Sequence, residues 1–90
     1  MACRMIYAER FLDDAAQVWS GRLQMKLVNA LANIEAFPEI GSRNFPQSIK
    51  EEFGDAVRKV ALDPFDLVYE YDKATQTVFV YALVPMRTAH

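Results

Sequence analysis

The hydrophobic period of this chain changes at Gly54, and that change restricts it to folds joining helices to an antiparallel sheet. Beyond Gly54 the segments AVRKVAL, FDLVYEYD and TVFVYALV alternate with a period of two and are rich in β-branched and aromatic residues. The breaks between them fall at Asp63-Pro64 and at Asp72-Lys73-Ala74-Thr75, both turn-prone. The pattern predicts three antiparallel strands joined as a meander.

Before Gly54 the spacing is helical. Phe11, Leu12, Ala15, Val18 and Trp19 form one apolar stripe, with Glu9, Arg10, Asp13, Asp14 and Gln17 opposite. Ser20 and Gly21 interrupt it, and a second stripe follows through Leu23, Leu27, Ala30, Leu31 and Ile34. So short a break predicts an antiparallel helical hairpin. Pro38 disfavours helical geometry at Phe37, so the second helix should end near Ala36. Arg4 to Tyr7 reads as an opening strand with Met5 and Tyr7 on one face and Ile6 on the other. The stretch FPEIGSRNFPQSIKEEFG reads as an ordered connecting loop anchored by Phe37, Ile40, Phe45, Ile49 and Phe53.

Strand alternation assigns faces. Phe65, Leu67, Tyr69 and Tyr71 share one side of the middle strand, while Asp66, Val68, Glu70 and Asp72 share the other. In the last strand Phe79, Tyr81 and Leu83 oppose Val78, Val80, Ala82 and Val84. The aromatic side is expected to pack on the helices. The side carrying Asp66 and Glu70 is expected to be more open, and bordered by Arg58 if the row Arg58, Val60, Leu62 points the same way. Lys59 then points oppositely.

Ninety residues, 52% of them hydrophobic and with six Phe, four Tyr and one Trp, suffice for one domain with one core. Cys3 is the single cysteine and His90 the single histidine, so neither an intrachain disulfide nor a metal set with recognisable spacing is expected. No P-loop, dinucleotide fingerprint or nucleophile triad is present, and no cofactor is expected. The N-terminal residues turn polar by Glu9, and no apolar run approaches the roughly 20 residues that span a bilayer, so a cytoplasmic protein is expected. The formal charge of −2 argues mildly against nucleic acid as the dominant partner.

A strand, a helical hairpin, a loop and a three-stranded meander, in this order and at this length, resemble the RelE/ParE toxin scaffold. IEAFPEIGSR resembles the family's junction after a leucine-rich helix. VRKVALDPFDLVYEYD resembles its basic strand, turn and LVY segment, and TVFVYALVPMR its closing strand with a following arginine. Together these strings cover nearly the whole chain. The resemblance implies an α+β fold and a toxin neutralised by a cognate antitoxin protein that folds on binding. RelE-like members cut messenger RNA on the ribosome and ParE-like members poison DNA gyrase, so the fold alone does not choose.

Metal-free RNA cleavage needs a base for the ribose 2′-hydroxyl, cations for the developing phosphate charge and an acid for the leaving oxygen. If the chain is a ribonuclease, Arg58, Arg87 and His90 are the candidates. Arg87 matches the arginine after the closing strand, but only Thr88, Ala89 and His90 follow it, so the family's C-terminal tyrosine or histidine has no matching counterpart. His90 titrates near neutrality and can serve as acid or base, against which stands the reading that it is an exposed tail residue. The resemblance departs at Asp66, where RelE-like toxins have an arginine and this chain has a carboxylate that repels phosphate. Asp66 and Glu70 also have the spacing of a carboxylate pair, against which stands the reading that they are surface acids pairing with Arg58 or Arg87. Arg58, Asp66, Glu70 and Arg87 are the candidate contacts with a target or an antitoxin. Tyr69, Tyr71 and Tyr81 can stack on bases, but their alternation with apolar residues makes them core. The arginine missing at Asp66 and the missing C-terminal aromatic together favour ParE-like binding. Ribosome-dependent cleavage is the alternative, as is a member that has lost toxicity and persists as an antitoxin-binding module.

Overall fold

A computed structural model describes residues 3–18, 20–44 and 46–86. It has the order β1 (Arg4–Tyr7), α1 (Glu9–Ala16), α2 (Gly21–Ala36), α3 (Gln47–Phe53), β2 (Val57–Leu62), β3 (Phe65–Asp72) and β4 (Thr77–Pro85). Trp19, Phe45, Arg87 and His90 lie outside the described residues.

The helices end where local chemistry dictates. The Ser20 hydroxyl accepts from the Leu23 N–H at 3.4 Å and caps α2, whose last turn is closed by the Phe37 N–H donating to the Asn33 carbonyl at 2.8 Å. Pro38 forbids continuation. α2 contributes Leu27, Ala30 and Ile34 to the core, and α1 contributes Phe11. Leu12, expected on the buried stripe of α1, is 54% exposed instead. No helix among the described residues is long and apolar enough to cross a membrane.

The sheet order is β1-β4-β3-β2. β2, β3 and β4 form the expected antiparallel meander, and β1 joins the outer side of β4 in parallel, with Arg4 opposite Thr77 and Tyr7 opposite Val80. The sheet is therefore mixed. β1 pairs with β4 only as far as Val80, and beyond it the Leu83 N–H donates to the Asp14 carboxylate of α1 at 3.1 Å. That bond supplies an acceptor where no strand of the described residues pairs.

The connection expected to be a loop contains α3, which Gly54 ends with a φ of +90°, a conformation that favours glycine. Ile49 and Phe53, one turn apart, are its inward side, whereas Phe37 and Ile40 are exposed and anchor nothing. The helix covers the sheet face opposite α1 and α2. Two cores result: Leu62, Leu67, Tyr69, Val78, Val80 and Leu83 under α1 and α2, and Ile49, Val57, Val68, Ala82 and Val84 on the other side.

The assignment of β4 faces from alternation needs correction. Val68 pairs with Ala82 and Tyr69 with Val80, so Tyr81 is an extra residue at a bulge. The bulge reverses the phase: Val78 and Val80 lie with Tyr69 beneath the helices, as Leu83 does beyond it. Phe79 pairs with Glu70, and Tyr81 stacks on Phe53 with ring centroids 6.1 Å apart, so both belong to the opposite side.

Candidate functional site

β3 is the central element of the candidate site because its two faces carry different chemistry. On the helix side, Tyr69 is fully buried, and its hydroxyl donates to the Pro38 carbonyl at 2.7 Å while accepting from the Gly41 N–H at 2.9 Å. This draws the segment after α2 onto the sheet. A Cβ at Gly41 would lie 2.6 Å from the Tyr69 hydroxyl, so only glycine fits that approach. Burial pushes the Tyr69 phenol above its ordinary range, with the neighbouring Glu39 adding to the shift against the opposing effects of the Gly41 N–H and Arg58.

Arg58 pairs in register with Tyr69 and shares its face. Its guanidinium donates to the carbonyls of Glu39 at 3.1 Å and Gly41 at 3.0 Å, and lies 3.8 Å from the Glu39 carboxylate. The row Arg58, Val60, Leu62 thus points away from Asp66 and Glu70, and Arg58 does not border them. Just beyond, Ser42 and Lys59 exchange backbone hydrogen bonds of 2.8 Å, closing the outer edge of β2.

On the other side, Asp66 is not on an open surface. Only 3% of it is exposed, and its Oδ1 lies 3.5 Å from the Lys59 Nζ, a diagonal cross-strand neighbour. A carboxylate in such a place requires a cation close by. Glu70 is half-buried and accepts from the Tyr81 hydroxyl at 3.1 Å. Burial first, and then the Glu70 charge, raise the Tyr81 phenol above its usual value. α3 and α1 are tied together nearby: Arg10 pairs with Glu52 and lies over the Phe53 ring, 5.2 Å from its centroid.

Asp66 and Glu70 do lie on one face, but each is held by its own partner, and Arg58 is on the reverse of the sheet. Arg87 and His90 fall outside the described residues. Among the described residues no group of three His, Cys, Asp or Glu is placed to hold a metal ion.

Compared with family models and with curated protein sequences, the chain matches none. Solved structures do match it. The intact RelBE toxin–antitoxin complex of E. coli contains a chain that superposes with a TM-score of 0.70 at 20% identity, covering 93% of this chain and 96% of that one. The fold of this protein is that of the RelE toxins. The RelBE2 complex of Mycobacterium tuberculosis gives a TM-score of 0.72 at 13% identity over 94% of this chain and 99% of that chain. An archaeal RelE–RelB complex from Pyrococcus horikoshii gives 0.68 at 12% identity, with 96% and 97% covered.

Within this RelE fold, two features escaped the sequence reading. The Tyr69 latch was hidden because alternation assigns Tyr69 to the core without saying what its hydroxyl meets. The spacing of Pro38 and Gly41 in FPEIG was the available signal. The Lys59–Asp66 pair depends on strand register, which neither residue reveals alone.

Proposed function

We propose that this chain is the toxin of a type II toxin–antitoxin pair, neutralised by a protein antitoxin, and that it acts by binding its target without cutting RNA. The first part is supported by the fold, since the solved structures that share it include toxins held in complex with antitoxins. The second part rests on one observation: the cations of β2 are already engaged within the molecule. Phosphoryl chemistry on RNA needs cations free to meet charge that develops in the transition state. Arg58 is bound to the loop carbonyls and Glu39, and Lys59 to Asp66. The buried carboxylate of Asp66 occupies the place at which the ribonuclease branch of the family carries an arginine.

DNA gyrase, the target of the binding branch, is the corresponding candidate. Expression of the chain alone in a bacterium should arrest growth, and co-expression of the neighbouring gene's product should relieve the arrest. Purified chain should inhibit supercoiling by gyrase, while transcripts from induced cells stay intact. Normal growth on induction would sink the toxin reading, and unaffected gyrase would sink its binding mode.

The second reading, ribosome-dependent messenger RNA cleavage with Arg58, Arg87 and His90 as the catalytic set, is favoured by one observation: the matching folds are RelE proteins. Codon-phased cuts that vanish on Arg87→Ala would establish it in place of the first.

A further inference from the structure

The opening turns of α2 carry Arg22 and Lys26, four residues and about one helical turn apart. With Ser20, Leu23, Asp63 and Pro64 they line a cleft of about 280 Å³. Asp63 and Pro64 also belong to a neighbouring cleft of about 530 Å³, completed by Phe65, Pro85 and Met86. The two together form one surface, cationic on the α2 side and largely apolar along the β2–β3 turn and the end of β4.

Five other cations are engaged within the molecule. Arg10, Lys50, Arg58 and Lys59 each pair with a carboxylate, and Arg43 donates to the Asp55 carbonyl. Arg4 and Lys73, like Arg22 and Lys26, have no side-chain partner among the described residues, and of these four only Arg22 and Lys26 lie together beside a cleft. In a chain with a net charge of −2, these two unpaired cations a helical turn apart make a local positive spot beside an apolar surface.

We infer that this surface receives an acidic segment of the antitoxin that also carries apolar side chains. Its carboxylates meet Arg22 and Lys26, and its apolar residues lie on Pro64, Phe65 and Met86. The inference rests on the proposed toxin–antitoxin reading and assigns that partner a contact site. A peptide suits the surface better than RNA: polyanion binding calls for more than two cations, and the adjoining cleft of Pro64, Phe65, Pro85 and Met86 offers apolar contact that a phosphate backbone does not use. Asp63 limits how many carboxylates the segment can bring. Complementary charge also steers association and keeps the contact sensitive to salt.

The test measures binding of the purified full chain to the product of the adjacent reading frame, with a short single-stranded polyuridylate as a second probe. Three forms are compared: wild type, Arg22→Glu with Lys26→Glu, and Arg22→Gln with Lys26→Gln. Both positions are exposed, so melting temperatures should match and any loss reports the contact. The reversed form should bind the protein probe at least about tenfold more weakly and the neutral form less severely so, with the gap closing at high salt. Equal affinity in all three forms would overturn the inference and leave the toxin–antitoxin reading intact. Failure of the wild type to bind the product would overturn both. Tight polyuridylate binding that disappears on reversal would assign the surface to nucleic acid and overturn the peptide assignment.

Discussion

Replacing Tyr69 by phenylalanine removes one oxygen from a fully buried side chain and tests whether the latch holds the segment after α2 in place. The hydroxyl makes two hydrogen bonds, to the Pro38 carbonyl at 2.7 Å and from the Gly41 N–H at 2.9 Å. Each neutral bond contributes about 0.5–1.5 kcal/mol net, and a buried partner left unpaired costs about 1–3 kcal/mol. The Pro38 carbonyl is near solvent and can be rehydrated, whereas the Gly41 N–H contact is buried, so the loss should be about 2 kcal/mol. For a domain of this size that is a fall in Tm of roughly 8–16 °C. Urea denaturation followed by circular dichroism measures it, with an unchanged m-value showing that the same surface unfolds. Gly41→Ala supplies the control. Its added methyl meets the hydroxyl at 2.6 Å and the ring at 2.8 Å, so it should destabilise strongly with Tyr69 present and less strongly beside Tyr69→Phe. A loss below about 0.5 kcal/mol, or strict additivity of the two changes, would refute the account of the latch.

Lys59→Ala should cost about 2–3 kcal/mol in chemical denaturation, because it leaves the Asp66 carboxylate buried without its cation. The exchange Lys59→Asp with Asp66→Lys should recover part of that loss, and a further fall would show that the pair contributes no attraction. Asp66→Arg alone should destabilise, since it sets two cations together within a packed face; a melting temperature equal to wild type would contradict the burial of that position. The phenols of Tyr69 and Tyr81 are raised in the folded state, so the fold favours their protonated forms. Their contribution is complete below the ordinary tyrosine value near pH 10 and is lost as pH rises above it. Melting temperatures measured from pH 8 upward should therefore fall beyond about pH 10, and less steeply in Tyr81→Phe than in wild type.

The parts of the fold legible in the sequence are those set by near neighbours. The end of α2 at Ala36 follows from Pro38, and β2, β3 and β4 follow from alternation and from their turns. What was hidden depends on contacts across the chain. α3 has only seven residues, and its Ile49 and Phe53 are equally readable as anchors of a loop until a sheet face is there to cover. The faces of β4 were misjudged because a bulge adds one residue at Tyr81, and alternation carries no mark of it. Asp66 looked exposed because a carboxylate is expected to be, while the cation that permits its burial sits seven positions earlier on the next strand. Arg58 was legible as a basic strand residue, but its face depended on register, and its partners belong to the segment drawn in by Tyr69.

The position of β4 between β1 and β3 has a consequence for synthesis. The strand that both neighbours require is the last of the four to leave the ribosome, about seventy residues after β1. Until it emerges β1 has nothing to pair with, and the opening helices have no finished sheet to rest on. A nascent chain is thus inert as a folded object, and one cut short before Thr77 should be cleared as unfolded protein without ever presenting a working surface.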